Sequence, residues 1–159
     1  GEGYKGREGK YEEERMDTEE MKSLVAKNKA HLGDLLKERG RTEAAVLEYR
    51  RALEESRDSV TIMKKLSSAL TTMARYEEAL ELLKRAKEIS SDHPSILTAL
   101  GQTYLKLKRM KEARDSFQEA IQINPFDPEA HMGLATAYEM LGERASASKE
   151  REMVKGLLQ

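Results

Sequence analysis

The sequence has no cysteine. That excludes disulfides, thiolate metal sites and cysteine nucleophiles, and it leaves the redox compartment undetermined. Proline occurs only three times, so little interrupts helix formation. An excess of positive charge is also missing: 28 Lys+Arg stand against 29 Asp+Glu, a formal net charge of -1. A general nucleic-acid binder needs a basic face for phosphates, and that class is set aside. Apolar runs stay well short of the roughly 20 residues of a membrane span.

What is present is charge and helix formers. Charged residues make up 36% and the hydrophobic set 38%, where typical soluble domains have roughly 25% and about 45–50%. Such a surface-rich chain suits a thin or extended molecule. Ala, Leu, Glu, Lys and Arg together exceed half of the 159 residues, the composition of a helical protein. Four of the ten glycines fall within the first nine residues. Residues 1–16 lack an apolar period and read as a flexible lead or linker. Their acidic run Glu12-Glu13-Glu14 reads as a solvated tail. The chain opens at Gly1 without a basic-then-apolar signal segment, and is expected to be a piece of a longer protein or a processed chain. Its localisation is left open, with the cytoplasm favoured.

Aligned with itself at an offset of 34, the chain falls into register four times. Leu32, Leu66, Leu100 and Leu134 form one column. Gly33, Ser67, Gly101 and Ala135 form a small-residue column, and Ala45, Ala79, Ala113 and Ala147 another. Large residues recur at Leu36, Leu70, Tyr104 and Tyr138. A further large column, Tyr49, Leu83 and Phe117, is broken by Arg151. Ala52, Ala86, Ala120 and Val154 complete the set. Each copy carries two stretches with apolar residues three or four apart, the mark of paired amphipathic helices. The small columns mark close backbone approaches, where a larger side chain would overpack.

Local signals agree. The third copy's first helix is predicted from Pro94 to about Leu107, because proline suits the first turn. Its second helix is predicted from about Met110 to Ile123, ended by Pro125. Asp127 caps the next helix, and Gly40 and Gly142 sit where helices should stop. Ahead of the first copy, Asp17 and Glu20 have capping-box spacing, and a helix is expected to start near Thr18. Met21, Leu24, Val25, Leu32, Leu35 and Leu36 then continue one apolar stripe, either on that extended helix or on a separate short one covering the open end.

These columns resemble the tetratricopeptide repeat family. With Pro94 as position 1, the third copy supplies Leu97 at position 4, Leu100 at 7, Gly101 at 8 and Tyr104 at 11. It then supplies Ala113 at 20, Phe117 at 24, Ala120 at 27 and Pro125 at 32. The four repeats cover about 26–59, 60–93, 94–127 and 128–159. With the helical extension they form a single domain over 17–159. The resemblance implies an all-α, right-handed superhelical solenoid of antiparallel helix pairs. The departures are Lys29 and Met63 at position 4 and Arg151 at position 24. Lys29 implies a partly solvated first pair, and Arg151 a polar capping face on the last helix.

Three function classes follow. Catalysis is weakest: there is no GxSxG, HExxH, phosphate loop or calcium loop. His31 and His131 lie three repeats apart and cannot meet, and His93 sits in a loop, so neither a metal site nor a cofactor is expected. A binding module is favoured. In the resembled family, positions 2, 5, 9, 12 and 13 line a concave face. Carried over, they place Lys27, Asp34, Lys64, Ser68, Thr71, Thr98, Gln102, Leu105, Lys106, Met132 and Thr136 there. The hydroxyl and amide groups could bond a peptide backbone. Lys64 and Lys106 favour an acidic segment, and Met132 and Met140 with Leu105 give an adaptable apolar end. The five-residue carboxylate clamp of the family's chaperone-tail binders is absent, since only Lys64 matches it. The expected role is a scaffold or adaptor that binds a protein or peptide. The alternative is homo-oligomerisation or intramolecular docking through the end face at Val154, Leu157 and Leu158.

Overall fold

A computed structural model describes residues 17–159. The glycine-rich lead and the acidic run Glu12-Glu13-Glu14 lie outside the described residues. Eight helices follow one another among those described: α1 (Thr18–Glu38), α2 (Thr42–Glu55), α3 (Val60–Thr72), α4 (Tyr76–Ile89), α5 (Pro94–Lys106), α6 (Met110–Ile123), α7 (Pro128–Met140) and α8 (Arg144–Leu157). Each packs against its chain neighbours, giving four antiparallel pairs in a stack. Contacts between neighbouring units are what define a solenoid, and this chain is an all-α one.

The first helices of the repeats start on side-chain or proline signals. Ser59 accepts a hydrogen bond from the Ile62 amide, and Asp127 one from the Glu129 amide. Pro94 and Pro128 occupy first turns. Asp17 caps α1 by accepting from the Glu19 amide. The second helices have no side-chain cap. Their entry is fixed by one turn repeated four times. Arg41, Arg75, Arg109 and Glu143 donate their amides to the carbonyls of Leu36, Leu70, Tyr104 and Tyr138, at 2.8–2.9 Å. The residue before each has positive φ: Gly40 at 76°, Ala74 at 59°, Lys108 at 62° and Gly142 at 80°. The turn thus demands a left-handed residue, and only two copies give it glycine.

The core is built from the columns. Phe117 is fully buried between two first helices. A Cβ on Gly101 would come within 2.6 Å of the Phe117 ring, and one on Gly133 would also collide with it. Two missing side chains therefore make the slot for one ring. At the same register positions, the second copy places Leu83 with Ser67 and Ala99. A smaller plug matches larger walls, so volume is conserved across the column.

The first repeat is built differently. Tyr49 lies over Gly33, where a Cβ would come within 2.5 Å of the ring. Its hydroxyl donates to Asp34 Oδ1 at 2.5 Å, and Lys65 Nζ reaches Asp34 Oδ2 at 2.5 Å. The α1 stripe is on one continuous helix, and its large side chains face outward: Met21, Leu24, Val25, Leu32 and Leu35 are all exposed. The buried positions of α1 are Ala26, Ala30 and Gly33.

Candidate functional site

Stacking the first helices side by side leaves a groove along them. Three hollows run into one another. One of about 320 Å³ starts at Lys27 and Ala30. It shares Asp34, Thr61 and Lys65 with a second of about 670 Å³. That one shares Lys64 and Ser68 with a third of about 740 Å³, which ends at Thr136 and Met140.

The third hollow has a one-sided charge, whereas the middle one is lined by Asp34 and Glu38 beside its lysines. Lys64, Lys106 and Lys108 line the third and no carboxylate does. None of the three makes an ion pair among the described residues. The polar remainder is largely committed. Thr71 donates its hydroxyl to the Ser67 carbonyl at 2.8 Å, Thr103 to Ala99 at 2.8 Å, and Thr136 to Met132 at 3.0 Å. Ser68 accepts from Lys37 Nζ at 2.7 Å, and the Gln102 amide donates to Glu129 at 2.6 Å. The threonine hydroxyls keep lone pairs but have spent their protons on their own helices. The free donors of the groove are therefore the lysine ammonium groups. Leu83, Leu105 and Met140 supply apolar wall beside them.

The groove brings together Lys64, Ser68, Thr71, Gln102, Leu105, Lys106 and Thr136, with Lys27 and Asp34 toward the first repeat. Two expected contact residues, Thr98 and Met132, lie outside it, and Asp34 lines it without being free. Thr98 is buried, with its hydroxyl unpartnered, because it points into the packing between helices. Asp34 lines the wall, but both its oxygens are occupied. Burial alone would raise its pKa; the bonds from Lys65 and Tyr49 outweigh that and hold it below the ordinary aspartate value of 3.8. Met132 is exposed but lines none of the three hollows.

At the far end, Val154 is buried within the last helix pair, Leu157 is half-buried and Leu158 is exposed. The trio thus presents one free apolar side chain, because α8 turns Val154 inward. Arg151 pairs with Glu139 across that end.

One groove residue escaped sequence reasoning. Lys108 lines the groove from the turn after α5, outside the five positions carried over. Its place beside Lys106 was the available signal. His131 is buried and braces the last repeat: its Nδ1 faces Glu150 at 2.5 Å and its Nε2 faces the Pro125 carbonyl at 2.7 Å. Among the described residues, no group of three or more His, Asp or Glu could hold a metal, and no helix is long and apolar enough to cross a membrane.

Three family models, each described as tetratricopeptide repeat, match residues 26–59, 58–125 and 104–154. No curated protein sequence matches the chain. Among solved structures, the chain is similar to a crystal structure of MamA, with 20% identity and a TM-score of 0.78 over 83% of this chain and 77% of that one. It is similar to MamA from Desulfovibrio magneticus RS-1, with 17% identity and a TM-score of 0.78 over 83% and 75%. It is also similar to TTC0263, a thermophilic TPR protein in Thermus thermophilus, with 23% identity and a TM-score of 0.73 over 83% and 74%. At these identities the likeness is one of fold.

Proposed function

Because the chain belongs to the tetratricopeptide repeat family of protein-interaction scaffolds, we propose that its groove holds an acidic, partly apolar segment of a partner protein, without catalysis. One observation carries the reading: the third and largest of the three hollows is lined by Lys64, Lys106 and Lys108 and by no carboxylate. An anionic side chain entering there meets free ammonium donors, while backbone N–H groups find the hydroxyl lone pairs of Thr71, Thr103 and Thr136. Leu83, Leu105 and Met140 give neighbouring apolar side chains a surface to bury. Lys27 and Met132 extend the same face toward either end.

The test is fluorescence anisotropy with labelled peptides of one length in acidic, neutral and basic versions. The acidic peptide should bind tightest, and its affinity should fall as salt rises. Replacing Lys64 and Lys106 with glutamate should weaken it more than about tenfold while leaving the thermal melt unchanged. Equal binding of acidic and basic peptides would sink the reading.

A further inference from the structure

Among the described residues, the outer face of α1 is an uncovered apolar surface. Residues at three register positions of the later first helices are buried: Ile62, Leu66 and Ala69 on α3, and their equivalents on α5 and α7. There the preceding second helix covers them. On α1 the same positions are Asn28, Leu32 and Leu35, and no described helix precedes them. Leu32 is 45% exposed where Leu66, Leu100 and Leu134 are 2–3% exposed. The stripe also continues upstream through Met21 and Leu24, at 54% and 58%.

We propose that this face is the interface with a second copy of the chain, packed antiparallel across a two-fold axis through Asn28. The stripe is self-complementary. Met21, Leu24, Asn28, Leu32 and Leu35 are spaced three, four, four and three residues apart. Reversing the helix about Asn28 sets Met21 against Leu35 and Leu24 against Leu32, twice over. An isologous interface requires this property. Asn28 would meet its own copy, and an amide both donates and accepts, so the pair closes on itself and fixes the register.

The opposite end of the molecule is the competing occupant, and its chemistry is unsuitable. Where α6 offers Phe117 and Ile121 to the next repeat, α8 offers Arg151 and Lys155. Both are held in surface ion pairs, Arg151 with Glu139 and Lys155 with Glu152, and laying those charges on an apolar stripe would strip water that the pairs only partly replace. Head-to-tail stacking is therefore disfavoured, and like meets like at α1. Size agrees. The half-exposed apolar side chains offer on the order of 400–500 Å² per chain, the size of the largest patch on a typical monomer, which is often a functional one. Doubled and rimmed by Lys22, Lys29 and His31, the patch reaches the roughly 1,000 Å² that a weak specific dimer needs.

Two experiments on the full chain test this. Sedimentation velocity across roughly 1–200 µM should show the mass rising toward twice 18.1 kDa, as expected for a weak dimer of this interface size. Leu24→Glu with Leu32→Glu should weaken self-association more than about tenfold with the helical spectrum intact. Lys64→Glu with Lys106→Glu in the groove should leave it unchanged, which separates this inference from the peptide-binding one. Second, the cysteine-free chain allows clean cross-linking. Asn28→Cys should form a disulfide-linked dimer on oxidation, and Phe126→Cys, in an exposed loop of the third repeat, should not. A chain that stays monomeric throughout, or that cross-links equally at both positions, overturns the proposal and assigns the stripe to some other cover.

Discussion

The first and third repeats fill the same register position with an aromatic ring and secure it by different means. In the third, Phe117 is held by shape alone, between two glycines on successive first helices. In the first, Tyr49 lies over Gly33, and the position matching Gly133 is Lys65, whose ammonium group reaches Asp34 beside the tyrosine hydroxyl. In the third repeat the ring is close-packed and has no titratable partner, so pH does not act on it directly. The first is tied by a tyrosine–aspartate–lysine link that stays half in water. One repeat pattern therefore admits a packing solution and an electrostatic one. They should fail under different insults.

The largest expected effect breaks the packing solution. Gly101→Leu forces a side chain into the Phe117 ring and should cost roughly 1–3 kcal/mol, read as a lowered urea midpoint. The neighbours cannot give way easily, because Gly133 already abuts the same ring. An unchanged midpoint would mean that the ring has room to move, and the sandwich would lose its meaning.

A smaller effect breaks the electrostatic solution. Tyr49→Phe keeps the ring and removes the donor to Asp34. It should cost about 1 kcal/mol, as one charge-assisted bond near solvent does. Acid should act through the same group. Asp34 titrates below its ordinary 3.8 in the folded chain, so its contribution is complete above that value. As the pH falls through the folded-state value, the unfolded chain has already taken up its proton and the contribution is lost. In Asp34→Asn, the melting temperature should drop less between pH 7 and pH 3 than in the unaltered chain. Equal drops would show that Asp34 is merely solvated. Alkali works in the opposite sense. Burial, then the bond to Asp34, raises the Tyr49 phenol above its ordinary 10.0, and stability should fall as the pH climbs past 10.

Most of the scaffold was legible from sequence, for a physical reason. The columns at 34-residue spacing are the side chains that pack, and packing constrains residue size at every copy. Pro94, Pro128 and Asp127 mark helix starts because first-turn chemistry is local. The groove was only partly legible. Position numbers located Lys64, Gln102 and Lys106, but whether a side chain is free depends on neighbours from other repeats. Thr98 is lost to the packing and Asp34 to Tyr49 and Lys65, both of which come from other helices. The α1 stripe was visible as a period, yet its outward direction was not. A stripe looks the same whether or not a helix precedes it.

The smallest effect sharpens the comparison at the turn between paired helices. The first repeat gives its left-handed position to Gly40 and the third gives it to Lys108. A side chain in that conformation brings its Cβ against the following carbonyl, at about 1 kcal/mol. Lys108→Gly should therefore stabilise the chain by about 0.5–1 kcal/mol, the gain being trimmed by the freer unfolded glycine. The reciprocal Gly40→Lys should destabilise by a similar amount. A Cβ at Gly40 would meet nothing within 4 Å, so the backbone is the only source of the cost there. If the pair is equal and opposite by thermal or urea melts, Lys108 is held at a conformational cost with no compensating contact in the free chain. A Lys108→Gly variant that loses stability instead would show that the lysine side chain supports the turn.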